Sequence, residues 1–233
     1  MSIEAHEALE WAQVVVGYKT YISLIEGLIE GKRVISTGMR GEIDRCKQAI
    51  KSALAGERTV VVCSGDSGIY GLSGLILELL DRDGVVDKVT VEIIPGIPAF
   101  VAASSLLGAP LMHDFVCISL SDLLTPWDII EERIRAAGRG DFVVVLYNPR
   151  SRKRKWQLSR CLEILREYRD GSTVVGIVQN AMREGENTHI VHLGEVDVNM
   201  VDMFTILIVG NSSTYVIGNK MVTSRGYMEK YGG

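Results

Sequence analysis

Apolar and polar positions along the chain change period several times, and each change marks an element. Residues 2–10 read as the end of a helix, and the run through Val14, Val15 and Val16 reads as a strand over 12–16 that stops at Gly17. Helical spacing over 18–29, a short strand over 33–36 and a helix over 42–54 follow, the last with Ile43, Cys46, Ile50 and Leu54 on one face and Gly56 to end it. Val60, Val61, Val62 and Cys63 run together without a polar break, which fits a strand covered on both faces in a parallel sheet. The Ser-Gly-Asp-Ser-Gly turn after it opens onto a helix through Asp81, with Ser67 placed as its cap and Ile69, Leu72, Leu75, Ile76, Leu79 and Leu80 as its apolar stripe. A strand over 89–94, closed by Pro95-Gly96, and a small-residue helix over 98–107 complete an alternation that signals βαβ units.

Beyond residue 110 the pattern changes. A strand over 114–119, a helix over 127–137 begun by Thr125-Pro126, a strand over 142–147 ending at Asn148-Pro149 and a helix over 151–168 come first. Three strands, 173–179, 189–193 and 204–209, then follow with little helix between them, which favours a mixed, largely antiparallel sheet. The expected architecture is α/β in two domains: 1–110 around a mostly parallel sheet and 111–233 around the mixed one, divided near 108–113. There is no internal repeat and no low-complexity segment.

A chain of 233 residues has room for one large domain or two small ones, and 47% hydrophobic with 23% charged residues is the composition of a soluble globular protein. The net charge of −4 argues against general nucleic-acid binding. No apolar run is long enough to span a bilayer, and residues 1–10 lack the basic start and apolar core of a signal peptide, so no membrane partner and a cytoplasmic location are expected. Cys46, Cys63, Cys117 and Cys161 are far apart, which argues against disulfides; with His189 and His192 pointing to opposite faces of a predicted strand, no metal site is expected. The strand, Gly-rich turn and helix start around 60–71 form the place where open α/β sheets take small ligands.

The segments SGDSGIYG at 64–71, PGIPA at 95–99, HDFVCISLSDLLTPW at 113–127, LYNPRSRKR at 146–154 and VGNSST at 209–214 resemble the tetrapyrrole (corrin/porphyrin) methylases over almost the entire chain. SLSDLLTPW and LYNPRS resemble in particular the branch acting on precorrin-3B or cobalt-factor III. The resemblance implies a two-domain fold with S-adenosylmethionine held in the interdomain cleft, S-adenosylhomocysteine as product, and usually a homodimer. It implies methyl transfer to C17 of a tetrapyrrole, coupled to ring contraction through a lactone made by a substrate acetate. Members of the family begin with a strand and a Gly-x-Gly-Pro-Gly loop ahead of a helix like 2–10. This sequence starts at the helix, so the first strand and its loop are expected to be absent. A form that binds cofactor or tetrapyrrole without turnover is therefore one alternative; a same-fold methyltransferase acting on ribosomal RNA or a translation factor is another.

Carried onto this sequence, the resemblance places Gly65, Asp66, Ile69, Tyr70, Pro98, Ala99, Tyr147, Asn148, Ala181 and Thr205 around the cofactor. Gly65 lets backbone approach without a Cβ clash. Asp66 either accepts from ribose or the methionine amine or closes the turn on itself as an Asx motif. Arg150 leads a run of five cations in six residues (150–155), and Lys19 and Arg40 are further candidates for substrate carboxylates, which arginine clamps bidentately. A cation run at a helix start opposes the macrodipole and calls for compensation. For proton handling the candidates are His113, Asp114, Ser121 and Asp122.

Overall fold

The structure, a computed structural model, describes residues 1–232, and the chain forms two compact units, Met1–Pro98 and Ala99–Gly233. In the first, α1 (Ile3–Trp11), β1 (Val14–Tyr18), α2 (Lys19–Ser23), β2 (Arg33–Thr37), α3 (Glu42–Leu54), β3 (Thr59–Val62) and α4 (Ser73–Arg82) succeed one another. The three strands are all parallel, in the order β2-β1-β3. Val14 and Val16 of β1 pack on Cys46, Ala49 and Ile50 of α3 and Ile76, Leu79 and Leu80 of α4. Val15 faces the other way, onto Leu9 of α1 and Ile22 of α2. With both faces covered, Val14, Val15 and Val16 are all apolar.

Four expectations fail in this unit, two through local backbone conformation and two through sheet pairing. β1 is the central strand; β3 is an edge strand and only half-buried. The helix expected over 18–29 stops at Ser23 and gives way to a 3₁₀ turn, Glu26–Leu28, centred on the poor helix former Gly27. α4 begins at Ser73 and not at Ser67, because Tyr70 takes a left-handed φ of 54° that no helix accommodates. Ser67 serves that helix through its carbonyl, which accepts from the Ser73 amide (3.2 Å) and hydroxyl (2.8 Å). Finally, 89–94 forms no strand: no member of the three-stranded sheet pairs with it, and Val91 and Ile93 stand exposed.

The second unit comprises α5 (Ala99–Leu107), β4 (Gly108–Ala109), β5 (Phe115–Ser119), α6 (Trp127–Arg139), β6 (Val143–Tyr147), α7 (Gln157–Arg166), β7 (Val174–Gln179), β8 (Asn187–His192), β9 (Thr205–Val209), β10 (Thr214–Ile217), β11 (Lys220–Thr223) and α8 (Tyr227–Tyr231). Its main sheet runs β5-β6-β9-β7-β8, with β5 and β6 parallel and every other neighbour antiparallel, as the run of late strands predicts. Alternation sends Val143, Val145, Ile206 and Ile208 to the face covered by α5, while Val144, Leu146, Leu207 and Val209 meet α6 and α7. Because Ala103 and Leu107 bury themselves in this sheet, α5 belongs to the second unit, and the units divide at Pro98 and not near 108–113. The helix expected from residue 151 starts at Gln157, since residues 151–154 close a turn of their own: the Ser151 amide donates to the Arg154 carbonyl, and the Arg154 amide donates to Ser151 Oγ. The hairpin β10–β11, turning at Gly218-Asn219, was not expected, although such a dipeptide is a hairpin signal.

α5 lies so close to the sheet that Gly176 of β7 has no room for a side chain: a Cβ there would stand 2.3 Å from Leu107 Cδ1. Gly176→Ala should therefore destabilise by about 1–3 kcal/mol, read as a lower denaturant midpoint at unchanged slope. Leu107→Ala made in the Gly176→Ala background should cost less than the same change in the parent chain; strict additivity would contradict this packing.

Candidate active site

The polar residues of the second unit gather where β5 and β6 end and β9 begins. Ser119 pairs in register with Tyr147, and Gln179 at the end of β7 pairs with Thr205 at the start of β9, so Asn148, Asn180 and Ala181 emerge along the same edge. Tyr147 continues the alternation of Val143 and Val145 and lies on the α5 side. Its hydroxyl accepts from the Phe100 amide (3.2 Å), one of the donors that the first turn of α5 leaves unpaired. Ala99, Phe100, Tyr147 and Ala181 thus pack against one apolar group. Asn148 has a left-handed φ of 51° and donates from Nδ2 to Ser119 Oγ at 2.9 Å. Asn180 (φ 49°) and Met182 (φ 57°) are left-handed as well. Non-glycine residues in that region are strained, and such strain collects at ligand sites.

One buried side chain organises the edge. Arg154 Nη1 donates to the carbonyls of Asn148 (2.7 Å) and Leu120 (3.3 Å), tying together the chain ends that leave β6 and β5. Burial pushes its guanidinium below the usual arginine range, with Asp122 opposing the shift. Asp122 accepts from Gln157 Nε2 at 2.9 Å, and the Ser121 amide donates to Ser119 Oγ. Ser121 and Asp122 therefore share the edge with Tyr147 and Asn148. His113 and Asp114 do not: they precede β5, five residues of strand and about 17 Å away, bonded to each other through the Asp114 amide and His113 Nδ1.

Two further candidates turn out to be occupied. Thr205 Oγ1 donates to Asp202 Oδ1 (2.7 Å) and accepts from the Asp202 amide, and alternation puts it on the face opposite Tyr147. Arg150 donates to the Val198 carbonyl at 2.6 Å, anchoring the 3₁₀ turn Val198–Met200. The cation run contains a scaffold residue at each of Arg150 and Arg154, and it ends at Lys155, next to the cap Trp156 of α7.

In the first unit, the loop after β3 carries Gly65 (φ 76°), Asp66, the half-buried Ile69 and the exposed Tyr70. Asp66 realises the Asx motif: Oδ1 accepts from the Gly68 amide at 2.8 Å, and Oδ2 accepts from the Gly96 amide at 2.9 Å. Those amides hold its carboxyl below the ordinary carboxylate range. A Cβ at Gly96 would lie 1.9 Å from the Gly65 carbonyl oxygen, so the glycine is required by the close approach of the two loops. Pro98 is the last residue of this unit. Lys19 and Arg40 are exposed, at the carboxyl ends of β1 and just beyond β2.

Arg154, Ser119, Asn180, Met182 and Gly96 escaped the sequence reading. Asn180 carried a usable signal, as asparagine is among the few residues that tolerate the left-handed region. Arg154 carried none, sitting among look-alike cations. The residues at the strand ends fit a nucleoside-type ligand: a flat phenol, an amide fixed by strain, and two alanines small enough for close approach beside it.

Comparison with known proteins places the chain among the methylases. A family model described as Tetrapyrrole (Corrin/Porphyrin) Methylases matches residues 1–197, and the chain belongs to that family. A probable cobalt-factor III C(17)-methyltransferase of Salmonella typhimurium is 51% identical over 227 residues, covering 97% of this chain and 93% of the relative. The crystal structure of the methyltransferase CobJ matches with a TM-score of 0.92 at 38% identity, over 96% of this chain and 93% of that one. A uroporphyrin-III C-methyltransferase from Thermus thermophilus, complexed with S-adenosylhomocysteine, shares the fold with a TM-score of 0.66 at 21% identity, over 90% of each chain. Among the described residues no helix is long and apolar enough to cross a membrane.

The depressed Asp66 carboxyl has a pH consequence. A carboxyl held low in the folded state contributes stability above its unfolded pKa of about 4, and that contribution fades as pH falls through the lower folded value. Asp66→Asn should be less stable than the parent at pH 7, with the gap narrowing as pH falls below about 4; parallel curves of melting temperature against pH would show that the carboxylate does not hold the two loops.

Proposed function

We propose that this chain is an S-adenosylmethionine-dependent methyltransferase that methylates C17 of a corrin-pathway tetrapyrrole, precorrin-3B or cobalt-factor III, with contraction of the ring. The observation that carries the reading is 51% identity, over nearly the whole chain, to a relative described as a cobalt-factor III C(17)-methyltransferase. S-adenosylmethionine supplies an electrophilic methyl group when bound. The chain's task is to align, to exclude water and to manage protons, which requires rigid edges more than a reactive side chain. Tyr147, Asn148, Ala99 and Ala181 are the proposed cofactor contacts of the second unit. Gly65, Asp66, Ile69, Tyr70 and Pro98 are those of the first, with Asp66 acting by holding its loop. Thr205 contributes backbone only. Ser121 and Asp122 are the proton-handling candidates that share the edge with Tyr147. Arg150, Lys19 and Arg40 were expected to bind substrate; Lys19 and Arg40 keep that role here, while Arg150 is engaged elsewhere. A cytoplasmic homodimer acting on a pigment and not on nucleic acid completes the proposal, and the net charge of −4 favours that acceptor over RNA.

Incubation with methyl-labelled cofactor and each pigment, followed by mass analysis, should find one labelled methyl on the tetrapyrrole. Label on RNA or protein, with the pigments unchanged, would refute the acceptor. Filling the small-residue position with Ala181→Leu should weaken S-adenosylhomocysteine binding by about tenfold or more through steric exclusion, in a protein that still melts cooperatively. Unaltered affinity would remove Ala181 from the contact set.

A further inference from the structure

Among the described residues three arginines are buried: Arg154, Arg169 and Arg45. Two are held by backbone carbonyls. Arg154 donates to the carbonyls of Leu120 and Asn148, and Arg169 to those of Val209, Gly210 and Phe142, although Arg169 Nε has no partner. Arg45, on α3, is the most deeply buried at 3% exposure and has no carbonyl. Its Nε is buried without a hydrogen-bond partner. Nη2 stands 3.9 Å from Oε1 of the half-exposed Glu42, too far for a hydrogen bond, and Cζ lies 5.7 Å from the centre of the Tyr18 ring. A guanidinium is permanently charged and brings five donors, so enclosing it with an ion pair at that distance and a ring face leaves it short of acceptors.

Tyr18 ends β1 and pairs in register with Thr37, which ends β2, and α3 begins five residues later, so Arg45 stands at the carboxyl end of a parallel sheet. Thr37 Oγ1 is a second buried polar atom without a partner. Arg40, one residue before the helix cap Gly41, is held at a strained φ of 67°, and the exposed Lys19 follows Tyr18 directly. The acids near Arg45 are Glu42 and, also in the first turn of α3, Asp44.

The geometry points to Arg45 as a buried carboxylate clamp, with the Thr37 hydroxyl as a second donor, for one of the acidic side chains of the tetrapyrrole. This assignment rests on the tetrapyrrole reading above and adds the residue that holds the pigment. Arginine suits the task because its planar fork meets a carboxylate through two parallel hydrogen bonds. The amino-acid carboxylate of S-adenosylmethionine offers the same chemistry, so the two sources must be titrated apart.

The test compares the parent chain with Arg45→Met and Arg45→Lys in equilibrium titrations against cobalt-factor III, uroporphyrin III and, separately, S-adenosylhomocysteine. Arg45→Met should bind both pigments about tenfold or more weakly and S-adenosylhomocysteine as the parent does, with Arg45→Lys between. Its ligand-free melting temperature should be equal or higher, because methionine removes an unpaired buried charge; a purely structural arginine would lower it. Equal pigment affinity in Arg45→Met and the parent overturns the clamp. A loss confined to S-adenosylhomocysteine does so too, as does a lower melting temperature with all three ligands weakened alike. If the parent binds uroporphyrin III through Arg45 yet transfers no methyl to cobalt-factor III, the clamp stands and the proposed reaction falls. If the parent methylates cobalt-factor III while Arg45→Met binds pigment undiminished, the reaction stands and the clamp falls. A parent chain that binds neither pigment refutes both.

Discussion

Backbone polar groups that leave a sheet lose their ladder partners, and the second unit meets that constraint with one guanidinium: Arg154 takes the carbonyls of Leu120 and Asn148 as the chain exits β5 and β6. Arg169 does the corresponding work at the opposite end, where Phe142 enters β6 and Val209 leaves β9. In the first unit the roles reverse, and the Asp66 carboxylate collects the amides of Gly68 and Gly96. In each case a single charged side chain satisfies two or more backbone groups far apart in sequence. A charge-assisted bond of this kind is stronger than a neutral one, and removing it strands buried polar atoms. The segments that carry candidate site residues are thus fixed by side chains where no secondary structure fixes them.

That arrangement bears on the chemistry. A displacement at carbon is sensitive to misplacement of the reacting atoms, so on the proposed methyl-transfer reading this edge must not yield. Asn148 is kept left-handed between the Ser119 hydroxyl on its side chain and the Arg154 guanidinium on its carbonyl. Tyr147 is pinned by the first turn of α5. In the role proposed for them neither residue needs to react; each sets where a neighbouring backbone group points.

The fold was legible wherever hydrophobic periodicity was enforced by burial on known faces. β1, β6, β7 and β9 stand out because nearly every position meets apolar atoms, and α3, α6 and α7 because one stripe does. Legibility failed where tertiary pairing decides. The run over 89–94 has the composition of a strand, but composition supplies no ladder partner. Residues 67–72 carry apolar spacing that helix α4 completes only after Tyr70, whose left-handed turn no periodicity encodes. Resemblance pointed to the Tyr147-Asn148 edge and the loop after β3 as candidates; it could not show that Thr205 and Arg150 spend their polar atoms on Asp202 and Val198.

Charge shows the limit most clearly. In the sequence, the run over 150–155 is the densest positive segment, and Arg45 is one cation within an amphipathic helix flanked by Asp44 and Cys46. In the fold the ranking inverts. Two members of the run are committed to carbonyls, whereas Arg45 is buried beside Tyr18 with its Nε unpartnered. The strength of a charge for a ligand depends on how far it is removed from water and how much of its hydrogen-bonding capacity is left, and both are set by neighbours distant in sequence. A solvated cluster of lysines and arginines meets an anion already screened by water and salt. One enclosed guanidinium would meet it at lower dielectric and with fixed geometry, which is why the proposal falls on Arg45 and not on the denser run.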